Sequence, residues 1–147
     1  MSFNRKEVIA GHPGEMNALA LPHDCSTSTV LLVEDDDGLR GMLAVFLRLA
    51  GYKVDTASDE RGALEQFARK RPAAVVTDLM LPQGEGMNAV RTMRRAAPEV
   101  PIVVISGGGM FPAHHLLGIA SSLGAVAALS KPFKPAALLD VVRAVVA

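Results

Sequence analysis

The chain has 147 residues, half of them hydrophobic and a fifth charged, a composition that suits one globular domain with a real core. Fifteen basic residues balance fifteen acidic ones, so no broad cationic surface of the kind that grips nucleic acid is expected. No apolar run approaches the ~20 residues needed to cross a bilayer, the first 25 residues lack the apolar core of a secretory signal, and the lone Cys25 can form no internal disulfide, so residence in the cytoplasm is expected and no membrane contact.

Residues 1–28 mix Gly, Pro, His and Ser with short apolar pieces and read as a flexible N-terminal extension with one short helix around Glu15–Leu21. From Thr29 to Ala147 the pattern is that of one domain. Apolar runs rich in β-branched residues fall at Val30–Val33, Val54–Ala57, Ala74–Thr77, Ile102–Ile105 and Ala125–Leu129. Between them lie helical spacings. In Gly38–Ala50 the residues Leu39, Met42, Leu43, Phe46, Leu47 and Ala50 form one stripe, and Gly51 follows where a left-handed cap is wanted. Ala63, Leu64 and Phe67 mark a second helix, Met87, Val90 and Met93 a third, and Leu116, Ile119, Ala120 and Leu123 a fourth that Gly124 stops. A fifth starts at Pro135, whose missing N–H costs nothing in a first turn. Five strands alternating with five helices call for a parallel sheet covered on both faces, and strands that are apolar throughout agree with burial on both sides.

In such a sheet the loops at the carboxyl ends of the strands form the site. Reading them in turn gives Glu34-Asp35-Asp36, Asp78, Ser106 and Lys131-Pro132. Each residue alone has an ordinary explanation: acids favoured at a helix N-terminus, an aspartate capping a turn, a loop serine, a solvated lysine. Together they place carboxylates, a hydroxyl and an ammonium at one edge of the sheet. Clustered carboxylates repel one another unless a cation compensates them. Oxygen donors without His or Cys suit Mg²⁺, which takes one or two carboxylates and a phosphate oxygen. A lysine and a hydroxyl opposite would neutralise and bond a phosphoryl group. His114 and His115, adjacent on a helix, point ~100° apart and cannot pair on a metal; with His12 and His23 they are expected on the surface.

The segments VLLVEDD, VVTDLMLP, IVVISG and LSKPF resemble, in order and spacing, the response-regulator receiver family, over about Val30–Val146. The resemblance implies a flavodoxin-like doubly wound sheet of strand order 2-1-3-4-5 with helices on both faces. It makes Asp78 the nucleophile and phosphoacceptor and Mg²⁺ the cofactor, held by Asp35 directly, by Glu34 through water, by Asp78 and by the backbone carbonyl of Met80. Ser106 would bond the phosphoryl oxygen, Lys131 would pair with it, and the Lys131–Pro132 bond would be cis. The phosphodonor would be a histidine kinase or phosphotransfer protein. The output would be a conformation read by a downstream protein through the fourth helix, fifth strand and fifth helix, with a homodimer as one form of that contact. No substrate is turned over, so the chain is not expected to be an enzyme in the ordinary sense.

This chain departs from the family pattern at four places. Ala128 stands three before the lysine, where an aromatic usually reports the phosphorylation state, so the Gly107-Gly108-Gly109 loop is expected to move instead. Met80 and Gly108, two past Asp78 and Ser106, offer no group to orient a hydrolytic water, which implies a long-lived phospho-form. Glu85-Gly86 replaces the usual Asp-Gly, with the glycine still permitting the turn. The last helix, Pro135–Ala147, is charged only at Asp140 and Arg143 and is expected to need cover on more than one face, either as a dimer or partner interface or under the N-terminal extension. The competing expectation is a receiver-like scaffold that binds partners without phosphorylation. A hydrolase on the same fold is disfavoured, because Met80 occupies the place of a second acid.

Overall fold

The computed structural model describes residues 28–81, 84–107 and 112–146. The expected helix at Glu15–Leu21, the N-terminal extension and Cys25 lie outside the described residues, as do Gly108 and Gly109. The main strands are β1 Thr29–Val33, β2 Lys53–Ala57, β3 Ala74–Asp78, β6 Ile102–Ser106 and β7 Ala127–Ser130; the helices are α1 Asp37–Leu49, α2 Glu60–Arg69, α3 Gly86–Ala96, α4 Ala113–Leu123 and α5 Pro135–Val146. Two further two-residue strands, β4 Met80–Leu81 and β5 Gly84–Glu85, pair antiparallel just after β3. The five main strands form one parallel sheet of order β2-β1-β3-β6-β7, which is 2-1-3-4-5 counted over the main strands alone. The expected flavodoxin-like architecture is therefore observed.

The two-residue period of a strand sends neighbouring side chains to opposite faces, and β1 shows the result. Val30 and Leu32 join Leu43, Ala44 and Leu47 of α1 and Leu138, Val141 and Val142 of α5 in one core. Leu31 and Val33 join Ala63 and Phe67 of α2, Ala89, Val90 and Met93 of α3, and Leu116 and Ala120 of α4 in the other. Helix starts are fixed locally. Asp36 caps α1 by accepting from the Leu39 N–H at 2.9 Å, and Asp59 caps α2 by accepting from Gly62 N–H at 2.7 Å. Gly51 and Gly124 take the positive φ expected of them, 108° and 95°.

The last helix packs against both the sheet and α1. Its apolar residues Leu139, Val145 and Val146 are half-buried and pack, with Leu39 and Phe133, against the α1–α5 core. Among the described residues the well-exposed large apolar side chains are Met42, Val45, Leu49, Met80 and Leu117, and none of them lies on α5.

Candidate phosphoryl-transfer site

The three central strands and β7 deliver the site. β1 runs straight into Glu34, whose N–H still donates across the sheet to the Ala57 carbonyl at 3.0 Å. This extra ladder bond draws Glu34 fully into the interior, at 0% exposure, while Asp35 beside it is exposed. β3 ends at Asp78, also buried, and the next residue continues the ladder, Leu79 N–H donating to the Ile105 carbonyl at 2.9 Å. β6 ends at the buried Ser106, whose carbonyl accepts from Lys131 N–H at 2.7 Å just past β7. The Lys131–Pro132 bond is cis, as expected.

Lys131 joins the two buried acids. Its Nζ donates to Asp78 Oδ2 at 2.6 Å and lies 3.0 Å from Glu34 Oε1. The second contact is ionic rather than a directed hydrogen bond, and it leaves Oε1 the buried side-chain oxygen without a hydrogen-bond partner among the described residues. The other oxygens are held: Asp78 Oδ1 accepts from Met80 N–H at 2.8 Å, and Glu34 Oε2 accepts from Asp36 N–H at 3.0 Å. Burial raises the Glu34 carboxyl above its ordinary range and the neighbouring Asp78 charge adds to this, against the lowering effects of the Asp36 N–H and of Lys131. For Lys131, burial alone would lower the ammonium; the carboxylates of Asp78 and Glu34 together outweigh it and hold its pKa above the usual value.

Glu34, Asp35 and Asp78 each offer a carboxylate oxygen within 4.8 Å of the others. Three hard oxygen donors, one of them a buried oxygen with no hydrogen bond, fit a divalent ion of the Mg²⁺ type. The Lys131 ammonium already performs part of the compensation such an ion would give.

Three features of the site were not read from the sequence. Arg40 donates Nη1 to the Glu34 backbone carbonyl at 2.8 Å and Nη2 to Asp37 Oδ1 at 2.6 Å, tying the acidic loop to the first turn of α1. The i, i+3 spacing of Asp37 and Arg40 was the available signal. Gly107 lies where a Cβ would stand 2.8 Å from Lys131 Cβ and 2.9 Å from its Cδ, so the absence of a side chain there lets the lysine lie along the backbone towards Asp78. Gly86 does more than permit a turn: a Cβ there would be 2.3 Å from the Asp78 carbonyl oxygen and 2.5 Å from Leu79 Cα. The expectation of a turn glycine is corrected to one of close backbone approach beneath Asp78 and Leu79.

A doubly wound sheet with an acid cluster, a hydroxyl and a lysine at its carboxyl edge defines a receiver-type signalling domain. The chain belongs to the response regulator receiver domain family, whose model matches residues 30–143. It is 38% identical over 122 residues to the C4-dicarboxylate transport transcriptional regulatory protein DctD of Pseudomonas aeruginosa, covering 83% of this chain and 26% of that one. It is 36% identical over 115 residues to the response regulator MprA of Mycobacterium leprae, covering 78% of this chain and 49% of that one. The chain thus spans about a quarter to a half of the length of these relatives. Among solved structures it matches the chemotaxis response regulator CheY4 of Vibrio cholerae with a TM-score of 0.71 at 30% identity, covering 80% of this chain and 98% of that one. A putative response regulator from Chloroflexus aurantiacus matches with a TM-score of 0.73 at 30% identity, covering 81% and 97%. The chain therefore carries the receiver domain used by response regulators of two-component systems. No described helix is long and apolar enough to cross a membrane.

Proposed function

We propose that this domain is a switch operated by phosphorylation of Asp78, with a phosphohistidine on a histidine kinase or phosphotransfer protein as donor. The observation that carries the reading is the buried Asp78 carboxylate held by Lys131 at 2.6 Å, beside Glu34 and Asp35 oxygens within 4.8 Å. In the transfer an Asp78 carboxylate oxygen bonds to phosphorus as the P–N bond of the donor breaks, and the leaving imidazole takes up a proton. The residues that would hold Mg²⁺ are Asp35, Asp78, Glu34 through water, and the carbonyl of Met80. When bound, the ion supplies positive charge against the phosphoryl oxygens. Lys131 pairs with the same group from the other side and Ser106 donates its hydroxyl to it. The reading extends to an output surface on α4, β7 and α5 that binds a downstream protein or a second copy, and to residence in the cytoplasm. Against the scaffold alternative stands the full set Asp35, Asp78, Ser106 and Lys131 on one sheet edge.

Intact-mass spectrometry after incubation with acetyl phosphate and Mg²⁺ tests the reading. The expected result is a gain of one phosphoryl mass that is absent in Asp78→Asn and absent without Mg²⁺. A folded protein that gains nothing from acetyl phosphate or from a phosphorylated phosphotransfer protein would favour the scaffold.

The same assay followed over time addresses turnover. Met80 is half-exposed and apolar beside Asp78, so no side chain there orients an attacking water. Replacing it by a polar residue, Met80→Asn, is expected to shorten the phospho-form's half-life by roughly tenfold, the scale of one positioned hydrogen bond. An unchanged half-life would show that Met80 does not limit hydrolysis.

A further inference from the structure

Four acids stand in a row after β1, Glu34 to Asp37, and of these Glu34 and Asp35 bring carboxylate oxygens to the cluster with Asp78. Asp36 is engaged as the cap of α1, accepting from Leu39 N–H, and Asp37 is engaged by Arg40. The peptide unit that joins the two cluster acids is itself held. Its oxygen, the Glu34 carbonyl, accepts from Arg40 Nη1 at 2.8 Å. A peptide unit is rigid and planar, so fixing that oxygen fixes how the chain passes from Glu34 to Asp35. Arg40 is anchored as well: Nη2 donates to Asp37 Oδ1 at 2.6 Å, and the arginine side chain is 21% exposed. A guanidinium presents its donors in a fixed fork, which sets the separation of the carbonyl from the Asp37 carboxylate. The rest of Glu34 is tied down by its N–H on Ala57 and its Oε2 on Asp36 N–H.

We infer that Arg40 is a positioning residue for the cation: by locking the peptide between Glu34 and Asp35 it keeps their carboxylates in one fixed relation, and so sets a preference for Mg²⁺ over Ca²⁺. The inference rests on the Mg²⁺ reading of the site proposed above. Mg²⁺ demands near-ideal octahedral geometry at ~2.1 Å, whereas Ca²⁺ accepts irregular shells at roughly 2.3–2.6 Å. A loosened acidic loop therefore penalises Mg²⁺ more than Ca²⁺. Charge alone predicts the reverse. Removing a cation from beside the carboxylates makes the site more negative and would tighten the binding of both ions alike. The sign of the change thus separates positioning from electrostatics, and the ratio between the two ions separates it from a general loss of structure.

The test is titration of the full-length ¹⁵N-labelled protein with MgCl₂ and with CaCl₂, dissociation constants being read from amide shifts. Arg40→Met is expected to weaken Mg²⁺ binding by about tenfold, the low end for loss of a group that orients a metal ligand. Ca²⁺ binding should weaken by roughly threefold or less, because its shell tolerates the looser loop. Arg40→Lys keeps the charge and most of the stem but lacks the fork, and is expected to lose part of the same preference. It carries the test if the methionine variant does not fold. Tighter binding of both ions, unchanged constants, or equal loss for Mg²⁺ and Ca²⁺ would overturn the inference and leave the Mg²⁺ reading standing. A parent protein that binds neither ion would overturn the Mg²⁺ reading and the inference with it.

Discussion

Gly86→Ala is expected to destabilise the domain by about 3 kcal/mol or more, the upper end for inserting a methyl into a packed site, and to lower the midpoint of thermal unfolding by roughly 10 °C. The new Cβ would stand 2.3 Å from the Asp78 carbonyl oxygen, 2.5 Å from Leu79 Cα and 2.7 Å from Leu79 C. All three are backbone atoms, and they cannot turn aside as the end of a side chain can. The segment is pinned in place, since Gly86 N–H donates to the Leu79 carbonyl at 3.1 Å and Leu79 N–H donates to Ile105 on the next strand. Relief therefore requires moving α3 or the loop that carries Asp78. Gly41→Ala is the control. No atom lies within 4 Å of a Cβ built there, the position is helical and exposed, and the substitution is expected to stabilise by about 0.5–1 kcal/mol through helix propensity. Urea unfolding of the two variants beside the parent decides the matter. Equal, small shifts of the same sign would mean that the loop yields freely and that the close approach has no energetic weight.

That glycine also marks the limit of what the sequence discloses. Strands and helices were legible because each carries several apolar residues in a period, and the carboxyl ends of the strands followed from the alternation of elements. Glu34, Asp35, Asp78, Ser106 and Lys131 could thus be gathered at one edge before any coordinates. The pair β4 and β5 was not legible, because two residues show no period. The start of the last strand was placed two residues early: Ala125 and Val126 are apolar and buried, yet Ala125 N–H closes the end of α4 by donating to Ala120. Arg40 looked like a surface cation on a helix, and its bond to the Glu34 carbonyl depends on how α1 leaves the sheet. The outward turn of Met42 was hidden for the opposite reason: it was counted in one helical stripe with Leu43 and Leu47, yet it lies outside the core that holds them. Ala128 is half-buried against the core opposite Val104.

Lys131→Met should expose the electrostatic balance of the site in the metal-free protein. The substitution keeps most of the aliphatic stem and removes the ammonium that lies 2.6 Å from Asp78 Oδ2 and 3.0 Å from Glu34 Oε1. Removing one partner of a buried ion pair commonly costs about 3–5 kcal/mol; with a quarter of the lysine side chain reaching solvent, about 2 kcal/mol is expected here. The dependence on pH identifies the cause. Glu34 already has a raised pKa, from burial first and then from the Asp78 charge, and it loses the lowering influence of Lys131 in the variant. An acid whose folded pKa exceeds its unfolded value contributes stability below the unfolded pKa and loses it as pH rises through the folded one. The variant should therefore unfold close to the parent near pH 4.5, fall progressively below it on the way to neutrality, and stay below. The parent shows no matching loss from Lys131 in that window, because an ammonium with a raised pKa keeps its contribution until the alkaline range. Millimolar Mg²⁺ at neutral pH should narrow the gap, since the ion returns positive charge to the same carboxylates. Thermal unfolding of both proteins between pH 4.5 and 8, with and without Mg²⁺, measures all of this. A gap independent of pH and of Mg²⁺ would show that Lys131 stabilises the domain by packing alone.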